Sequence, residues 1–292
     1  MYKVVVPVVI VLSLFLQSCS NSFFYYPSGG GKANADVQWL HSSSGNDIAY
    51  VWLPAKTGEP KGIVVHFHGN SGHLGETKEK VDWLVEHGYH VMVFDYSGFG
   101  FSSGAATDKA LYADSKSVLK LTSRLKRDLG LPTFIIATST GGNVFLRAWV
   151  EQPIDLDGVI IDSSFISYIE VTDHVLQQNF LGKLYSWISE ILMRDQYAAK
   201  PVISQIPIAK TLVVHCEEDK IIPISFGYEI YTQLNGEKEF WQLSQCAHAR
   251  GITRDFPANQ SRLVNWLESA TPDFEVARME PAGGVTPILN AF

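Results

Sequence analysis

Ser139 sits where a serine could act as a nucleophile. A short apolar run, Phe134-Ile135-Ile136, leads into Ala137-Thr138-Ser139-Thr140-Gly141-Gly142, and a helix-like stretch over 143–150 follows at once. A strand-to-helix bend holds its serine out where a substrate can meet it, and it is so tight that the residues two before and two after must be small. Ala137 and Gly141 meet that demand, although Ala137 replaces the first glycine of the usual Gly-x-Ser-x-Gly pattern. Taken alone, the hexapeptide reads equally as a polar turn whose Ser or Thr caps a helix. A serine hydroxyl becomes a useful nucleophile when a histidine takes its proton, and the histidine needs an acid to orient it. After the apolar run at 211–215 the chain offers Asp219, and after the run at 239–243 it offers His248; no other histidine follows Asp219. Asp162, at the end of an earlier run, is the rival acid.

These groups need a scaffold that gathers the ends of separate strands. Residues 37–40 and 48–53, separated by a Ser/Gly/Asn-rich turn, read as an opening β-hairpin. Strand-like and helix-like segments then alternate. Strands are predicted over 62–68, 89–94, 133–138, 158–161, 211–215 and 239–243. Helices are predicted over 76–87, 108–129, 142–150, 225–234 and 255–269. Short apolar runs alternating with amphipathic helices predict an α/β fold, a mostly parallel sheet covered on both faces, with reactive groups on loops at the strands' carboxyl ends. The stretch from 165 to 207 contains no strand-like run. Its Leu184, Tyr185, Trp187, Ile188, Ile191 and Leu192 follow the spacing of one helical face, which fits either a small helical cap over the site or a crossover helix packed on the sheet.

Five ordered motifs together resemble the α/β-hydrolase superfamily. They are His66-Phe67-His68-Gly69-Asn70, Asp95-Tyr96-Ser97-Gly98-Phe99-Gly100-Phe101-Ser102, Ile161-Asp162-Ser163-Ser164-Phe165, and the loops bearing Asp219 and His248. The pattern is similar to the branch with a His-Gly-Asn loop that includes serine aminopeptidase-type domains and membrane-associated acyl hydrolases, and it runs from about 37 to about 267. The resemblance implies Ser139 as nucleophile, His248 as base and Asp219 as orienting acid. It also implies an oxyanion hole made by the backbone N–H groups of Thr140 and Asn70. The expected activity is cofactor-free hydrolysis of an ester or thioester through an acyl-enzyme. A peptidase or amidase of the same fold and a non-catalytic surface lipoprotein are the alternatives. His66 and His68, two apart on a strand and so facing one side, invite a metal reading. The pattern His-x-His-x-Asp-His is not met, because Asn70 and Ser71 stand where the last two ligands belong, and no metal site is expected. Gly98-Phe99-Gly100 reads as a turn and not a dinucleotide loop.

At 292 residues and 46% hydrophobic content the chain can bury a sizeable core. A net charge of −7 without a long basic run argues against nucleic acid as a partner. Met1-Tyr2-Lys3 and the apolar run over 4–16 have the form of a secretory signal, shorter than a spanning helix. The following Leu16-Gln17-Ser18-Cys19-Ser20 resembles the lipobox of bacterial lipoproteins, in which the cysteine is acylated and becomes the first mature residue. The expectation is a signal peptide over 1–18, a lipidated flexible spacer over 19–35, a hydrolase domain over 36–270 with its cap at about 165–207, and a poorly ordered tail over 271–292. Such a protein would be tethered to a membrane through Cys19, in the cell envelope outside the cytoplasm. Cys216 and Cys246 are then either two separate buried cysteines or, in an oxidising compartment, a disulfide.

Overall fold

The computed structural model describes residues 24–30, 36–178 and 189–271. Within these the chain lays down strands β1 (Tyr26–Pro27), β2 (Val37–His41), β3 (Asp47–Leu53), β4 (Gly62–Phe67) and β5 (Ser71–Gly72), helix α1 (Leu74–Lys78) and strand β6 (Tyr89–Phe94). Next come α2 (Asp108–Leu129), β7 (Thr133–Thr138), α3 (Thr140–Glu151), β8 (Gly158–Asp162), α4 (Tyr168–Gln177) and α5 (Ser189–Leu192). The chain closes with β9 (Thr211–Cys216), α6 (Ile224–Gln233), β10 (Lys238–Leu243) and α7 (Pro257–Ser269). Eight strands form one sheet in the order β10-β9-β8-β7-β4-β6-β3-β2, and β3 alone runs against the rest.

β4, β7, β8 and β9 are buried along their whole length, which is why they read as continuous apolar runs. Residues of opposite parity feed two cores. Val65, Phe67, Ile135, Ala137 and Ile161 meet Val118 and Leu119 of α2 and Val144 and Phe145 of α3. Val64, Ile136, Ile160 and Val214 meet Trp83, Leu263 and Trp266 on the other face. Each such side chain contributes about 1.5–3 kcal/mol when fully buried. α2 starts where the Thr107 hydroxyl accepts the Ala110 N–H at 3.0 Å and stops at Gly130, whose φ of 64° a residue with a side chain adopts at a cost.

The alternating layout and the α/β-hydrolase architecture are as expected, with four local corrections. The single helix predicted over 76–87 is instead α1 followed by a 3₁₀ turn, Asp82–His87. Leu84 N–H donates to the Val81 carbonyl at 3.1 Å in the i→i−3 pattern, and the Lys80 carbonyl accepts the Trp83 indole N–H at 3.0 Å. Secondly, α3 begins at Thr140, directly after the serine, rather than at Gly142. Thirdly, residues 24–30 lie inside the stretch expected to be a flexible spacer, yet they are strapped onto the domain. β1 pairs with β5, Tyr25 is buried with its hydroxyl 3.2 Å from that of Tyr168, and Gly30 N–H reaches Gly100. Fourthly, β4 ends at Phe67, so the alternation expected to put His66 and His68 on one side stops between them. His66 bonds Thr138 Oγ1 at 3.1 Å, whereas the His68 ring packs on Tyr96 and Phe99 of the opposite core.

In the stretch expected to form a cap, the described residues contain α4, α5 and a 3₁₀ turn, Lys200–Gln205, and no strand. Asp195 gathers its two sides by accepting from Ser167 Oγ at 2.6 Å and Tyr168 N–H at 2.7 Å, and Ala199 N–H donates to Asn143 Oδ1 of α3 at 2.8 Å. Leu184, Tyr185, Trp187 and Ile188 lie outside the described residues, as do the signal-like segment, Cys19 and residues 272–292.

Candidate active site

Ser139 leaves the sheet between its neighbours β4 and β8. Register pairs Ala137 with Phe67 on one side and Thr138 with Asp162 on the other, and Ser139 N–H donates to the Asp162 carbonyl at 2.8 Å. Its φ of 54° and ψ of −124° lie where a residue with a side chain is strained. That strain is held by small neighbours. A Cβ on Gly141 would come 2.2 Å from the Phe67 carbonyl oxygen, and one on Gly142 would come 2.2 Å from Ser164 Oγ, which itself donates to the Ser139 carbonyl at 2.6 Å. Ala137 is fully buried in β7 among the core residues, so its methyl group has a place in the bend.

The loop after β9 carries Asp219, whose side chain is wholly buried. Oδ1 accepts the N–H groups of Ile221 and Ile222, both at 2.9 Å, and Oδ2 lies 2.7 Å from His248 Nδ1. Burial alone would raise the carboxyl pKa; the hydrogen bonds from His215, His248 and the Ile222 backbone outweigh it and hold the group well below the usual carboxylate range. An ionised carboxylate only accepts, so Nδ1 of His248 carries the proton and Nε2 is free to accept one. Asp162 is turned away from this pairing. It is buried at the end of β8 and accepts from Ser163 Oγ at 3.0 Å; burial raises its pKa, against the nearby charges of Lys80 and His248. Geometry therefore joins His248 to Asp219.

Ser139 and His248 line one cavity of ≈ 190 Å³, together with Asn70, Ile221 and Lys80. The Asn70 side chain is occupied, donating to the Phe24 carbonyl at 2.8 Å, and its carbonyl accepts from Tyr26 N–H at 2.8 Å. Its backbone N–H remains free of any acceptor among the described residues. Thr140 is the first residue of α3, so its N–H has no intrahelical acceptor either. Burial drives the pKa of His66 well down and that of His68 to about 3, so both are neutral, and no cluster of metal-ligating side chains occurs among the described residues.

Beyond Ser139 and the two cysteines, several contributors were not singled out by the sequence. The four non-glycine residues with positive φ among those described are Ser139, Ser163, Gln245 and Ala249, all at or beside this site. Ser163 Oγ bridges Asp162 to the histidine loop, accepting Ala249 N–H at 3.1 Å. Glu218 accepts the N–H groups of Gln245 and Cys246 at 3.0 and 3.2 Å. Cys216 and Cys246 are joined in a disulfide with Cα atoms 5.4 Å apart, deciding between the two possibilities left by the sequence. Lys80 lies within the helix predicted over 76–87 and carries no motif.

A strained serine at the carboxyl edge of a parallel sheet, sharing a cavity with the histidine of a His–Asp pair from the last two strand ends, is the arrangement of an α/β-hydrolase. The chain belongs to the family described as serine aminopeptidase, S33, whose model matches residues 58–205. It is 25% identical over 260 residues to the uncharacterized protein YfhR of Escherichia coli O157:H7, covering 85% of this chain and 87% of that one. It is 26% identical over 203 residues to the lysophosphatidylserine lipase ABHD12 of Bos taurus, a match that takes in 66% of this chain and 50% of the lipase. Among solved structures it resembles the Pyrococcus furiosus esterase Pf2001, with a TM-score of 0.65 at 19% identity over 84% of this chain and 97% of that one. The monoglyceride lipase of Saccharomyces cerevisiae gives 0.64 at 17% identity, over 84% and 98%.

Proposed function

We propose that the protein is a serine hydrolase that cleaves a carboxylic ester or thioester through an acyl-enzyme. The observation that carries this reading is the 2.7 Å contact of His248 Nδ1 with Asp219, in a histidine that shares the cavity of the strained Ser139. Ser139 Oγ attacks the scissile carbonyl while His248 Nε2 takes its proton, and Asp219 holds the ring in the required tautomer and stabilises the imidazolium. The tetrahedral oxyanion is received by the N–H groups of Thr140 and Asn70; loss of one such donor costs about 2.7–4 kcal/mol. His248 then gives its proton to the leaving alcohol or thiol, and water repeats the sequence to free the acid. Esters are favoured over peptides because a lysophosphatidylserine lipase stands among the relatives and esterases and a monoglyceride lipase stand among the structural neighbours.

The protein acts outside the cytoplasm, tethered through acyl chains on Cys19. The disulfide supports this reading, since such bonds persist in oxidising compartments. A fluorophosphonate probe should label Ser139, and Ser139→Ala should lose both labelling and turnover of short-chain aryl esters while unfolding at the wild-type temperature. Full turnover in that variant would contradict the assignment. An acyl-length series measures the pocket in the same experiment, and aminoacyl amides run beside it test the peptidase alternative that the family description raises.

A further inference from the structure

Lys80 lines the cavity beside Ser139, His248 and Asn70, and its ammonium has no hydrogen-bond or ion-pair partner among the described residues. Its backbone is fixed, with its N–H on the Thr77 carbonyl at 3.2 Å and its carbonyl held by the buried Trp83. Thr138, the last residue of β7, and Ser139 line the same cavity, which places Lys80 at the carboxyl end of β7. The other charges nearby do not neutralise it. Asp162 is felt there but lies beyond ion-pairing distance and is engaged with Ser163. Arg250, the other cation acting on it, is tied to Asp255. Glu76, at the rim of the same cavity, is 60% exposed and sits 3.6 Å from His73. Desolvating an ammonium is costly, and leaving it without a counter-ion beside a nucleophile makes sense when a ligand supplies the charge.

We propose that Lys80 is the subsite for an anionic group, a carboxylate or phosphate, carried by the ester substrate close to its scissile carbonyl. The proposal rests on the hydrolase reading and adds a substrate class to it. Lys80 would be a specificity-determining residue, binding the anion as a point charge with three donors. Two matched pairs of substrates test it and place the charge. The mono-p-nitrophenyl ester of glutarate against p-nitrophenyl pentanoate puts a carboxylate on the acyl side. A lysophosphatidate against the monoacylglycerol of the same chain length puts a phosphate on the alcohol side. Rates are corrected with Ser139→Ala. The wild type should prefer the anionic member of at least one pair. Lys80→Gln should lower that anionic-to-neutral ratio of kcat/KM by about 10- to 100-fold, mainly through KM, the range expected for a hydrogen bond to a charged group. Lys80→Arg should restore most of it, and Lys80→Met, which keeps the aliphatic stem, serves if the glutamine variant does not fold. Because the readout is a ratio, a general loss of activity cancels. If Lys80 merely balances Asp162, the ratio stays unchanged in both pairs; that result overturns the proposal and leaves the hydrolase reading intact. Failure of the wild type to turn over any of the four esters, with no probe labelling, overturns the hydrolase reading and this one with it.

Discussion

Asp219 organises more of the site than the orientation of one ring. One oxygen closes its own loop through Ile221 and Ile222, and the other meets His248, so the carboxylate fixes both partners of the proposed relay. Asp219→Asn keeps the size but presents an amide donor to Nδ1 and so favours the wrong tautomer; kcat should fall on the order of 10³- to 10⁴-fold. A loss below tenfold would remove Asp219 from the mechanism. The same residue bears on acid stability. Its folded pKa lies below the unfolded value of about 3.9. Its contribution is therefore complete above that value and is lost as pH falls through the folded pKa. Urea titrations from pH 6 downward should show wild-type stability declining below about pH 4, with a shallower decline in the asparagine variant. Chain order admits both Asp162 and Asp219 between Ser139 and His248, and in sequence it is the family resemblance that favours Asp219. Each follows an apolar run, and what separates them is geometric, since Asp162 belongs to β8 itself while Asp219 stands three residues beyond β9.

At the level of elements, the acid and histidine loops form one unit. The disulfide joins the last residue of β9 to the loop after β10, three residues before Asp219 and two before His248, and Glu218 adds two hydrogen bonds across the same gap. Gln245 and Ala249 hold positive φ in the histidine loop, strain that needs such restraint. Cys216→Ala/Cys246→Ala should cost about 3–4 kcal/mol, the loop-closure value for a sequence separation of 30. Because the staple fixes the loop that bears His248, which takes part in the chemistry as well as lining the cavity, kcat should fall by more than KM rises; unaltered kcat with reduced stability would assign the bond to the fold alone. β9 was legible in sequence because a buried parallel strand reads as a continuous apolar run, whereas β10, a partly buried edge strand, was legible over 239–243, one residue short of its start. The sequence predicts one helix over 76–87 because Val81, Leu84 and Val85 keep a spacing that a 3₁₀ turn also nearly satisfies, and the local bond from the Trp83 indole to the Lys80 carbonyl leaves no trace in that periodicity.

For the whole molecule, the strap over 24–30 changes what a tether would do. Its Ser/Gly-rich composition reads as a linker, but Tyr25 is 3% exposed and Phe24 packs edge-on against Phe165 and Tyr168. Apolar anchors two residues long carry little periodicity, so the sequence does not announce them. The strap bonds directly to Asn70, the residue proposed to hold the oxyanion, and Cys19 lies five positions before Phe24. Five residues reach at most about 18 Å. An enzyme acylated at Cys19 would therefore hold its cavity within a short distance of the lipid surface, with the exposed Ile221 on the cavity wall and the exposed Tyr26 in the strap to meet the interface. Substrates residing in the membrane would gain most from this arrangement. Cys19→Ser should move the protein from the membrane to the soluble fraction and lower hydrolysis of a long-chain ester in vesicles by tenfold or more. Hydrolysis of a soluble short-chain ester should stay at the wild-type rate, because the strap and the site are untouched. Retention of the serine variant in the membrane fraction with full vesicle activity would show that the tether lies elsewhere.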